Sequence, residues 1–150
     1  HALVVPSTDP EDIVRHDTDV EKAAMKFVQA FEEALGAQVK DVHTADLARA
    51  AGLSDYPGFD LLSLRPDGIK LSIEVKGRAA TGDIEISSNE WAKACIMRER
   101  YWLYVVFDCA TPNPRVIRVQ DPFGKLTAKA KGSMVIGAAQ VMESGEKCNG

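Results

Sequence analysis

Residues 101–107, YWLYVVF, form the longest uninterrupted apolar run in the chain, and no other segment constrains the fold as strongly. Seven residues fall far short of the ~20 that a helix needs to cross a bilayer. Their aromatic and β-branched side chains suit a pleated strand. The chain therefore reads as a domain built on a sheet, and its 150 residues are enough to close one core. An apolar content of 45% with 27% charged residues excludes both a disordered and a membranous chain.

Around that strand the local signals are regular. Residues 19–35 carry apolar side chains at helical spacing, with Val20, Ala24, Phe27, Phe31 and Leu35 on one stripe. Thr18 followed by Glu21 fits a capping box, and Gly36 is placed to stop the helix. AQVKDVHT, FDLLSL, KLSIEVK and DIEIS read as strands, with Arg65-Pro66-Asp67-Gly68 as the turn between the second and third. Ser87 and Glu90 form a second capping-box pattern, opening a helix that runs to about Arg98. YWLYVVFD and RVIRVQD then form a hairpin across Asn113-Pro114, and MVIGA is a weaker strand. The order predicts an α/β (α+β) domain, a mixed sheet flanked by helices. Residues 1–17 read as a linker or tag remnant, 18–142 as the domain, and 143–150 as a flexible tail.

Three cysteines, Cys95, Cys109 and Cys148, show neither zinc spacing nor a disulfide framework, so a reducing, cytoplasmic setting is expected. Cys95 and Cys109 read as small core-facing residues. His43 has no partner at ligand spacing. The net charge of −4 argues against a strongly basic nucleic-acid binder. It is uneven, though: residues 1–60 hold 5 Lys/Arg against 12 Asp/Glu, and residues 61–150 hold 13 against 10.

The chemistry concentrates in GFDLLSLRPDGIKLSIEVKGR, residues 58–78. Strand side chains alternate faces, so Ile73 and Val75 share one side while Glu74 and Lys76 share the other. Asp60 offers a second carboxylate on the preceding strand. Two carboxylates suit a hard cation such as Mg²⁺, which keeps open positions for water and phosphate oxygens. The backbone carbonyl of Val75 adds a third oxygen, and Lys76 is placed to hold an attacking water. Burial and a nearby metal are expected to keep the lysine pKa from rising.

The Asp…Glu-x-Lys pattern resembles the PD-(D/E)XK nuclease superfamily. The blocks VEKAAMKFVQAFEEALG, GFDLLS, IEVKGR, SSNEWAKA, YWLYVV and DPFGKL resemble, in the same order, the domain at the C-terminus of plant NO VEIN proteins. Similar domains follow bacterial Swi/Snf-type helicases and other ATPases, often in anti-phage defence genes. The resemblance implies a restriction-endonuclease-like core. It implies a Mg²⁺-dependent endonuclease, with Mn²⁺ able to substitute, that acts on DNA as a module of a longer parent chain. Asp60 and Glu74 would be metal ligands with Val75, Lys76 the catalytic lysine, and Glu21 an accessory carboxylate near the metal.

Other readings stand beside these. Glu74 and Lys76 also fit a solvated pair on an edge strand, Glu21 a helix cap, and Glu32 and Glu33 a solvated helix face. Glu90 reads as the partner of Ser87, and Trp91 as core or a packing lid. Arg78 and Lys93 are weak candidates for phosphate contact, since long cations on a surface are usually just solvated. The alternative function is a catalytically silent nuclease-fold module for DNA binding or protein docking.

Overall fold

The computed structural model describes residues 10–131 and 133–148; the expectation for residues 1–9 lies outside them. The elements are α1 (Pro10–Ala34), β1 (Gln38–Asp41), α2 (Ala45–Ala50), β2 (Leu61–Leu64), β3 (Lys70–Gly77), β4 (Ile84–Ile86) and α3 (Ser88–Met97). A 3₁₀ turn, Arg98–Arg100, follows. Then come β5 (Tyr101–Phe107), β6 (Arg115–Gln120), α4 (Pro122–Lys125), β7 (Lys129–Lys131), β8 (Ser133–Ile136), α5 (Ala138–Ser144) and β9 (Glu146–Cys148). Six strands form one sheet in the order β1-β2-β3-β5-β6-β9, and β4, β8 and β7 form a second. Among the described residues only β3 and β5 pair in parallel; the other neighbours are antiparallel. The class is α+β, as the order of signals predicts.

The apolar run of β5 is explained by cover on both faces. Leu103, Val105 and Phe107 pack with Ile84, Ile86, Ile117, Ile136 and Val141, under the smaller sheet and α5. Tyr104 and Val106 pack on the opposite face with Ala24 and Val28 of α1 and with Leu71, Ile73 and Val75 of β3. A strand with two buried faces loses the polar alternation of a half-exposed one. Its parallel partner β3 keeps the alternation, with Ile73 and Val75 toward α1 and Glu74 and Lys76 away from it.

Several expectations are corrected. The long helix begins at Pro10, so Thr18 lies within α1 rather than at its N-cap; proline suits a first helical turn, where its missing N–H costs nothing. The same start moves residues 10–17 out of the expected linker. The buried stripe of α1 runs Val20, Ala24, Val28 and Glu32, while Leu35 is 46% exposed. Glu32 is fully buried rather than solvated, because Arg65 Nη2 meets its Oε2 at 2.7 Å and Arg65 Nε its Oε1 at 3.2 Å. β4 joins the second sheet instead of the main one. The expected tail contributes the end of α5 and the edge strand β9, which pairs with β6. Cys95 is exposed. Among the described residues no helix is long and apolar enough to cross a membrane.

Candidate metal and phosphate site

The β2–β3 register decides the site. Leu61, the first residue of β2, pairs with Ile73, and Asp60 lies in a bend just before it. The backbone leaves regular strand geometry there, since Asp60 N–H donates to Ile73 O of β3 at 2.9 Å while Asp60 O accepts from Val42 N–H, next to β1, at 2.8 Å. Beyond Ile73 the β2 edge of β3 has no strand partner among the described residues, and the Asp60 side chain takes its place: Val75 N–H donates to Asp60 Oδ2 at 2.9 Å. The N–H and C=O of one strand residue point to the same edge. The Val75 carbonyl therefore lies on the Asp60 side of β3.

Lys76 shares the face of Glu74, and its Nζ lies 3.2 Å from Glu74 Oε1. Its shorter contact, 2.9 Å, is to Oε1 of Glu90 on α3. The N-terminus of that helix is fixed by a full capping box. Ser87 Oγ accepts from Glu90 N–H at 3.1 Å, and Glu90 Oε1 accepts from Ser87 N–H at 2.9 Å. Glu90 thus caps its helix and binds the strand lysine through one oxygen. The capping pattern located Glu90 in sequence; its second role depends on where the chain from Gly77 to Ser87 returns α3.

Electrostatics follow from crowding three carboxyls around one ammonium. Burial pushes the Glu74 carboxyl well above the usual range, and the neighbouring Asp60 charge adds to the rise. Asp60 is also raised, chiefly by burial, against the lowering effects of the Val75 N–H and Lys76. Burial raises Glu90 too, but the Lys76 charge outweighs it and the net shift is downward. For Lys76, burial works against the charge; Glu74 and Glu90 together outweigh it and lift the pKa above its ordinary value. Burial on its own acts in the expected direction, and the rise comes from the two carboxylates. In this state Lys76 is a firmly held ammonium.

Asp60, Glu74 and Glu90 line a cleft of about 540 Å³ with His43, Tyr56 and Asn89. A wider groove shares Asp60, Glu74 and Glu90 and extends past Lys76 to Arg78, Lys22, Lys26 and Glu21. Glu21 is exposed at that groove, without a hydrogen bond or ion pair to Asp60, Glu74 or Lys76 among the described residues. Arg78 lies exposed on the same groove. Lys93 lines neither; its stem packs against the Gly58 backbone. His43, which has no ligand-spaced partner in sequence, has its Nδ1 beside Asp41 Oδ1 and lines both clefts.

Among the described residues no three or more His, Cys, Asp or Glu side chains are placed to share one metal ion. The donors that come together are the Asp60 and Glu74 carboxyls, with one Asp60 oxygen engaged by Val75 N–H. An all-oxygen set with few protein ligands fits Mg²⁺ or Mn²⁺, which retain several waters.

The fold and site describe an α+β domain carrying an acidic cleft with an internal lysine. The family described as "Protein NO VEIN, C-terminal" matches residues 20–119. That span runs from the buried face of α1 to the end of β6 and contains every residue of the cleft, and the chain belongs to this family. Neither the curated proteins nor the solved structures give a match.

Proposed function

We propose that the domain is a Mg²⁺-dependent endonuclease-like module of PD-(D/E)XK type, hydrolysing DNA phosphodiesters from within a longer helicase, ATPase or defence protein. One observation carries this reading: Asp60, Glu74 and Lys76 come together at β3, with Val75 N–H donating to Asp60 Oδ2 at 2.9 Å and Lys76 Nζ 3.2 Å from Glu74 Oε1. When bound, Mg²⁺ or Mn²⁺ supplies Lewis-acid stabilisation of charge developing on the phosphate. The Val75 N–H orients Asp60 and leaves its other oxygen for the ion. Glu74, buried beside Asp60 and Lys76, would be the second carboxyl to hold the ion. Lys76, held as an ammonium, orients the attacking water and offsets negative charge on the phosphoryl oxygens. Glu90 fixes where that ammonium sits.

The test is nicking of supercoiled plasmid with Mg²⁺ or Mn²⁺, beside the Lys76→Ala variant and with Mn²⁺ titration calorimetry. Cleavage by the wild type alone supports the assignment. Equal cleavage by both proteins overturns the role of Lys76. A catalytically silent binding or docking module is the second reading, favoured by an ammonium already balanced by Glu74 and Glu90. It requires no cleavage and no Mn²⁺ binding.

A further inference from the structure

Tyr56 is 79% exposed at the wall of the cleft that holds Asp60, Glu74 and Glu90. The loop that carries it is pinned on both sides. Asp55 Oδ2 accepts from Arg49 at 2.9 Å, and the Tyr56 carbonyl accepts from Asn89 Nδ2 at 3.5 Å. Pro57 and Phe59 are buried. Gly58 adopts φ +83, and its carbonyl accepts from the buried Tyr101 hydroxyl at 2.6 Å. A Cβ at Gly58 would lie 2.7 Å from Lys93 Cβ, so the close seat of this loop on α3 needs glycine. A well-held backbone therefore presents a ring that makes no aromatic or cation–π contact among the described residues.

An aromatic side chain with a free face beside a phosphate-handling cleft is a stacking surface for a nucleobase. Stacking contributes about 1–3 kcal/mol per base and requires a base whose face is exposed. Bases in a duplex have both faces covered, and only an unpaired or extruded nucleotide offers one. The cleft volume of about 540 Å³ falls within the roughly 300–1,000 Å³ of small-molecule pockets, room enough for a nucleotide. Charge points the same way. The cleft wall carries four carboxylates, Asp55, Asp60, Glu74 and Glu90, and no Lys or Arg among the described residues, and the whole chain is at −4. Affinity cannot rest chiefly on counterion release, which needs many Lys/Arg–phosphate contacts.

Resting on the nuclease reading for what happens at the carboxylates, we propose that Tyr56 stacks on an unpaired nucleobase. The substrate of the cleft is then single-stranded or locally unpaired DNA. The experiment measures binding by fluorescence anisotropy, with a labelled single-stranded oligodeoxynucleotide and its duplex, in Ca²⁺ to hold the phosphate. Wild type is expected to prefer the single strand. Tyr56→Ala should weaken single-strand binding about tenfold or more, while Tyr56→Phe and Tyr56→Trp retain it. An exposed side chain makes a folding defect in these variants unexpected, and thermal melts check it. Equal binding of duplex and single strand, Tyr56→Ala within twofold of wild type, or no binding of either DNA would each overturn the proposal. Binding is read without turnover. Failure of the nuclease reading, seen as Lys76-independent cleavage or none, is therefore distinguishable from failure of this one.

Discussion

The ammonium of Lys76 lies 2.9 Å from Oε1 of Glu90, the same oxygen that accepts the Ser87 backbone N–H. A helix cap and a strand lysine are thereby tied into one unit, so the start of α3 sets the position of the ammonium. Glu90→Gln keeps the shape and a carbonyl acceptor for both donors but removes the charge. The Lys76 pKa should fall in this variant, since an anion that raised it is gone; ¹⁵N or ¹³C NMR titration of the side chain reads this directly. Cleavage should drop less than in Lys76→Ala, for which a loss of about 10²-fold or more is expected. A Lys76 titration unchanged from wild type would show that Glu90 serves its helix alone.

Glu74 and Asp60 destabilise the metal-free fold at neutral pH. Both have folded pKa values raised by burial, so each contributes stability that is complete below its unfolded pKa. That stability is lost as pH rises through the folded value. At pH 7 the wild type bears this loss, whereas Glu74→Gln does not. Thermal melts in chelator should place Glu74→Gln above wild type near neutral pH, with the difference shrinking as pH falls toward the unfolded carboxyl value of about 4. Adding Mn²⁺ should raise the wild-type midpoint and leave the variant where it was. A variant less stable than wild type at neutral pH would mean that the Lys76–Glu74 contact outweighs the burial of the charge.

Much of this site can be read in the sequence because strand alternation and turn chemistry are local rules. The turn at Arg65–Gly68 fixes the β2–β3 register, and Asp60, in the bend before β2, reaches the Val75 N–H of β3. Glu90 is visible only as a cap, because its contact with Lys76 depends on the path from Gly77 to Ser87, which has no periodicity to read. Glu32 misleads for a related reason: a carboxylate at an i+4 position of the buried stripe is tolerable only with a partner, and Arg65 is 33 residues away. Gly77 looks like a permissive backbone position after the strand. Its φ is ordinary; what it provides is closeness, since a Cβ there would lie 2.7 Å from Ala24 Cβ and 3.1 Å from Val20 O.

That closeness makes Gly77→Ala a specific probe of how α1 seats on β3. The added methyl meets helix backbone as well as side chain, so α1 must shift outward. Overpacking of this kind costs about 1–3 kcal/mol, expected as a lower urea midpoint with an unchanged m-value. Because Gly77 follows Lys76 directly, cleavage should also fall. A midpoint within experimental scatter of wild type would show that α1 can move away from β3 at no cost.

The Glu32–Arg65 pair ties α1 to the β2–β3 turn, and the two side chains are 0% and 21% exposed. Removing the arginine leaves a buried carboxylate without its partner, a change that typically costs about 3–5 kcal/mol. Arg65→Ala should therefore be among the more damaging single substitutions outside the apolar core, read as a large drop in urea midpoint. Replacing both residues, as Glu32→Leu with Arg65→Met, removes the buried charge together with its partner and should recover most of that loss. Because the pair sets the seat of α1 and not the ligands, the double variant should keep Mn²⁺ affinity near wild type. Reduced affinity in a stably folded double variant would instead make the seating of this helix part of what shapes the Asp60–Glu74 cleft.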